Sequence, residues 1–447
     1  MTTHSSASRR ARVRAAAVAL STAVAVFAAG CATDRGAGRA ANAAPLDTIA
    51  RSYVVLGLSM GAHDPNYVDA YYGPDSLKAA AAAESLGLDA IRARAESLAA
   101  RLGATTPAYA DTVVRLRHDY LRLQVAAMIA RARMLSGEKM TFDEEAEALF
   151  GAKPPHHADA HFDSLLAQLD TLIPGPGPLA ERYQAFHARL TIPPARVDTV
   201  FRRAIAACRA RTLEHMSLPA GERFDLEYVQ GTSWNAYNWY KGGFVSLIQV
   251  NTDLPIAIDR AIDLACHEGY PGHHVYNALI EETLVRGRGW VEFSLYPLFS
   301  PQSLIAEGSA NLGIDMAFPE PARTAFERDS LFPLAGLDPT LAARNAAVRR
   351  VNEQLNFARN EVARRYLDGE MSRREAEAAM ARYWLSSPDA AAKTVRFIDT
   401  YRSYVINYNL GRALAQEWVD RHGSDATSKG RWSAYEALLR APAFRLQ

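Results

Sequence analysis

The run Cys266-His267-Glu268-Gly269-Tyr270-Pro271-Gly272-His273-His274 constrains this chain more than any other stretch. The residues before it are patterned as a helix. Asp253 can cap that helix with Pro255 in its first turn, and Ile258, Ile262, Ala265 and Cys266 form an apolar stripe at helical spacing. Pro271 cannot continue the helix straight, because it lacks an N–H and its ring meets the carbonyl four residues back, that of His267. The spacing predicts a break or bulge between Gly269 and Gly272. A second helix then starts near Pro271, with His273 and His274 in its first turn.

The same run carries chemistry. Three imidazoles and one carboxylate within eight residues are what a zinc hydrolase needs: neutral nitrogen donors and an adjacent general base, Glu268. The spacing is not that of His-Glu-x-x-His, whose two ligands share a helical face four residues apart. On an unbroken helix His274 would share a face with His267 but stand roughly 10 Å along the axis, too far for one ion, and His273 would be rotated away. A kink closes that gap. His273 is taken as the second ligand and His274 as the alternative, since the sequence does not fix the kink. Glu307, 40 positions after His267 on a helix opened by Ser300-Pro301, supplies the third ligand. Asp263, one turn before His267, is placed to orient the imidazole.

His-Glu-x-x-Pro-Gly-His-His followed by Glu-Gly-x-Ala (Glu307 to Ala310) resembles the bacterial domain of unknown function family 885. The strand end Val250-Asn251-Thr252 and the late Tyr408-Asn409-Leu410-Gly411-Arg412 are similar too, so motifs cover about residues 226 to 415. The resemblance implies a zincin-type metallopeptidase of mostly helical fold that binds Zn²⁺ through His267, His273 and Glu307. It implies that Tyr408 hydrogen-bonds a developing oxyanion, that Arg412 holds a substrate carboxylate, and that Asn251 contacts substrate. The chain departs from the family where Ser309 and Leu312 replace a Trp and a Tyr, and where Arg402-Ser403-Tyr404 stands for Pro-Gly-Gln.

The expected fold is mainly α: a large helical zincin-like domain with one edge strand near 244–250 beside the metal-site helices. That strand is read from Phe244-Val245-Ser246-Leu247-Ile248-Gln249-Val250, β-branched and apolar between Gly242-Gly243 and Asn251-Thr252-Asp253. Helices are read at 111–136, 196–216 and 338–368, with capping boxes at Thr141–Glu144 and Ser372–Glu375 and another start at Ser387-Pro388. Residues 46–447 read as a single domain, with a helical half at about 46–220 and the motif-bearing half at about 221–447.

Ahead of it, Arg9 to Arg14 and the apolar Ala15 to Ala29 form a signal peptide over 1–30, ending in Ala28-Ala29-Gly30-Cys31. This predicts acylation of Cys31, a flexible tether over 31–45, and lipid anchoring in the cell envelope, at the periplasmic side of the outer membrane. Cys208 and Cys266 are expected as small buried apolar residues, though one bridge is compatible with an oxidising compartment. A second polar patch, His156, His157, Asp159 and His161, reads as a solvated loop and helix start. Net charge is +1, so nothing favours a nucleic acid partner. The function expected is a zinc-dependent peptidase in which Glu268 activates water. The alternative is a weakly active or inactive lipoprotein that binds metal or peptide.

Overall fold

The computed structural model describes residues 46–104, 112–232, 234–425 and 428–440. Cys31 and the signal segment lie outside them. Contacts divide the chain into Met1–Ile49 and Ala50–Gln447; of the first unit only residues 46–49 are described, and they are helical. None of the described helices is long and apolar enough to cross a membrane.

The second unit is mainly α. Local chemistry explains where many helices start. Thr141 and Ser372 each accept from the backbone N–H three residues on and have their own N–H bound by Glu144 or Glu375, so both capping boxes form. Ser387 caps the helix Pro388–Tyr401 by accepting from the Ala390 N–H alone. The helix expected over 111–136 spans Thr112–Leu135. The long helix expected over 338–368 is divided into Ala342–Leu355 and Phe357–Leu367.

Among the described residues, five strands form two small sheets. β1 (Val68–Tyr71) pairs antiparallel with β5 (Leu295–Pro297). β2 (Arg223–Val229) runs parallel to β4 (Val245–Asn251), and β3 (Ala236–Gly242) runs antiparallel to it. The order is β2-β4-β3. The strand read from sequence is therefore present but central, and the edges belong to β2 and β3.

Two helices set the geometry of the site. Pro301–Ala317 opens with Pro301 in its first turn and is buried around nearly its whole circumference. It crosses the helix Ile406–His422 at Gly308 and Gly411. A Cβ on Gly308 would stand 2.4 Å from the Gly411 carbonyl carbon, and one on Gly411 would stand 2.7 Å from the Leu304 oxygen. Only hydrogen fits at both positions, so the two backbones touch. The Gly of Glu-Gly and the Gly of Tyr-x-x-Gly meet each other.

Candidate metal centre

The motif folds in three pieces. A helix runs over Asp259–Leu264, widens into a π turn over Ala265–Gly269, and ends with Tyr270 in an extended conformation. A new helix covers His273–Ile280. Gly272 makes the join possible: a Cβ there would fall 1.8 Å from the His267 carbonyl oxygen. Its N–H donates instead to the Cys266 carbonyl at 2.9 Å. The break at Pro271 thus folds the second helix back against the first.

The two neighbouring histidines point apart. His273 Nε2 stands 3.2 Å from His267 Nε2. Glu307 joins them, its Oε2 3.2 Å from His267 Nε2 and its Oε1 3.6 Å from His273 Nε2. His274 faces the sheet: its Nε2 donates to Glu222 at 3.0 Å, and the Ser246 hydroxyl on β4 donates to its Nδ1 at 2.8 Å. Glu222 also accepts from Tyr270 and Arg209.

Glu268 completes the group. Its donor atom lies with those of His267 and His273 inside 4.8 Å, close enough for one ion. Asn238 on β3 donates to its backbone carbonyl at 2.7 Å, fixing that turn against the sheet. Burial raises the Glu268 carboxyl above the ordinary range, against the pull of His267 and His273. Burial works the same way on Glu307, but His273 and then His267 outweigh it and hold that carboxyl far down. Burial would lower His273, yet Glu307 beside it raises it to about 9. Glu307 Oε2 is buried, and its 3.2 Å contact with His267 Nε2 is not aligned as a hydrogen bond. Two imidazoles, a carboxylate and an orphaned acceptor fit a cation.

Other residues around the cluster were not visible in the sequence. Tyr404 donates to Glu307 Oε1 at 2.8 Å. It comes from the segment Arg402-Ser403-Tyr404. There Arg402 takes a positive φ of 54°, and Arg402 and Ser403 both bind the buried Glu145. Asp69 falls at the register shift in β1, between Val68 and Ala70, where an irregular strand re-aims a side chain. The Tyr237 hydroxyl donates to it. Burial lifts the Asp69 carboxyl to about 6, with Tyr237 and His273 opposing.

A cavity of about 660 Å³ opens on the cluster, lined by Asp69, Tyr237, Glu268, Tyr408 and Arg412 among others. Tyr408 packs with its ring centre 6.5 Å from that of His267. Burial holds its hydroxyl well above the usual range, so it stays a donor at neutral pH.

Four expected residues or pairs have other partners in the structure. Asp263 is held by Arg323 at 2.7 Å and Arg260 at 3.0 Å and is not bonded to the His267 ring, because those guanidiniums supply the charge its buried carboxylate needs. Asn251 spends its amide on the loop before β3, donating to Thr232 and Trp234 and accepting from the Asp253 N–H. Arg412 is bound through two nitrogens to Asp315 at 2.9 and 2.6 Å, so its charge is already met. Cys208 and Cys266 form a disulfide that ties the helix Val197–Leu213 to the residue before His267. The patch at residues 156–161 is the expected exposed loop and helix start, with the helix Asp159–Leu172 opening there; His156 pairs with Asp143, and the His157 and His161 rings stack at 4.9 Å.

No family model and no curated protein matches the chain. Solved structures do resemble it. A candidate lipoprotein from Colwellia psychrerythraea is 12% identical with a TM-score of 0.49, over 79% of this chain and 67% of that one. An M32 carboxypeptidase from Deinococcus radiodurans R1 is 14% identical with a TM-score of 0.45, over 90% and 91%. A candidate lipoprotein of unknown function from Shewanella oneidensis is 13% identical with a TM-score of 0.43, over 81% and 75%. The chemistry of the site rests on its own residues.

Proposed function

We propose that this chain is a metal-dependent peptidase, with His267, His273 and Glu307 holding a divalent ion, taken to be zinc. The observation that carries the reading is the convergence of these three side chains at 3.2 to 3.6 Å on the wall of a cavity large enough for a peptide segment. Zinc bound there would acidify a water and polarise a carbonyl. The chain's own groups do the rest. Glu268, buried and with a raised affinity for protons, takes the proton of the attacking water on its carboxylate and returns it to the leaving nitrogen. Tyr408 keeps its proton and donates to the oxyanion. Tyr404 holds Glu307 in place. The outer edge of β3, whose Ala236, Tyr237 and Asn238 line the cavity, offers main-chain groups to an extended peptide. Attachment to a cell-envelope membrane through Cys31 belongs to the same reading and rests on the sequence.

Metal content and digestion of a peptide library followed by mass spectrometry test it. One equivalent of zinc and cleavage are expected. Glu268→Gln should keep the metal and lower turnover by at least about 10²-fold. Cleavage that persists in that variant overturns the mechanism.

A further inference from the structure

The cavity is lined by several cations, and among the described residues four of its arginines are ion-paired. Arg412 has Asp315 and Glu353. Arg323 has Asp263 and Glu327, Arg349 has Glu320 and Glu327, and Arg260 has Asp263. Asp253 favours the charged form of Lys393.

Arg359 differs. Its Nε is buried with no hydrogen-bond partner, and its Nη2 reaches only the Asn356 side-chain oxygen, at 3.5 Å. The guanidinium lies over two rings, 5.2 Å from the centre of Trp384 and 5.8 Å from that of Tyr408. Burial opposes its charge, Tyr408 favours it, and Arg260 opposes it again; no carboxylate enters the balance. It also stands in the first turn of the helix Phe357–Leu367, the end where a cation is disfavoured and an anion is welcome. A cation kept in a cavity under these conditions is costly unless a ligand brings the anion.

We infer that Arg359 is the receptor for a substrate carboxylate, the C-terminal carboxylate of a peptide. The inference rests on the peptide reading above and adds the substrate class: chains cleaved near their C-terminus. The distances agree. Arg359 is one aromatic ring away from the metal cluster, since Tyr408 touches both it and His267. A residue of extended chain spans about 3.3–3.6 Å, so a carboxylate held at Arg359 places the bond facing Glu268 near the C-terminus of the chain. The flat rings of Trp384 and Tyr408 hold the guanidinium fork in one orientation, which suits bidentate capture of a carboxylate.

The test reads binding, so it does not depend on turnover. The full chain carrying Glu268→Gln, loaded with zinc, is titrated by fluorescence anisotropy with three pentapeptides dyed at the N-terminus. They end in Ala free acid, Ala amide and Glu amide. The free acid should bind about 10- to 100-fold more tightly than either amide. Adding Arg359→Ala or Arg359→Met should bring the acid to the level of the amides. Arg359→Lys should retain part of the preference, and Arg412→Ala should leave it in place. An acid preference that survives both Arg359→Ala and Arg359→Met, one that disappears with Arg412, or a Glu amide that binds as well as the free acid overturns the inference. A wild-type chain that shows the preference but cleaves none of the three peptides overturns the peptidase reading and leaves Arg359 standing.

Discussion

His273 and His274 are neighbours on one helix and live under opposite conditions. His274 is sealed against the sheet, and both its nitrogens are matched, by Ser246 and by Glu222. His273 faces the cavity, where its nitrogen meets another imidazole nitrogen and a carboxylate with an orphaned oxygen. One side of the helix is chemically finished by the protein. The other gathers two imidazole nitrogens and a carboxylate around one point, where a single cation can be held by all three. The difference teaches that burial and polarity alone do not mark a binding site; unmatched lone pairs do.

The largest effect should come from exchanging the two sides. His273→Ala should reduce bound zinc from one equivalent to nearly none by metal analysis, with little change in the melting of the metal-free chain. His274→Ala should keep the metal and lower stability by about 1–3 kcal/mol, because Glu222 loses a buried partner. The reverse pattern would discard the assignment of ligands. Next, Cys208→Ala removes the tether to Cys266, which closes a segment with a sequence separation of 58, and should cost about 2–4 kcal/mol in denaturant melts. An unchanged midpoint would mean the tether constrains nothing.

Gly308→Ala forces a methyl against the Gly411 backbone and should cost about 1–3 kcal/mol. Its cleavage rate should fall further than the lost stability explains, because Glu307 moves with the helix; a loss of stability with no loss of rate would separate the crossing from the site. The smallest effect concerns acid. Burial would raise Glu222, but hydrogen bonds from His274, Tyr270 and Arg209 bring it below its ordinary 4.5. A depressed carboxyl contributes stability that is present above pH 4.5 and lost as pH falls through the folded value. Melting temperatures measured from about pH 7 down to about pH 3 should therefore fall less steeply in Glu222→Gln than in the wild type; parallel curves would remove Glu222 from the closed side.

Much of this was legible in the chain because it is local. Pro271 announces the helix break, Thr141 and Ser372 announce their caps, and the Val245–Asn251 run announces a strand. The choice between His273 and His274 was not legible. Adjacent helical residues differ by about 100°, and the starting direction of the second helix depends on how closely Gly272 approaches the His267 carbonyl. Tyr404 and Glu307 are 97 residues apart, and His274 and Glu222 are 52 apart; no periodicity reports such pairs. Arg359 looked like any helical arginine until its lack of an opposite charge could be seen. Arg412 looked like a receptor until Asp315 appeared beside it. The Cys208–Cys266 bridge leaves no local trace either.

The meeting of Gly308 with Gly411 has a further consequence. Where two helices touch main chain to main chain, the gap between them is set by atoms that every sequence shares. Glu307 and the tyrosines across from it are thus gauged by the backbone and not by the shapes of surrounding side chains. The spacing of that crossing is therefore written at two positions that carry no side chain.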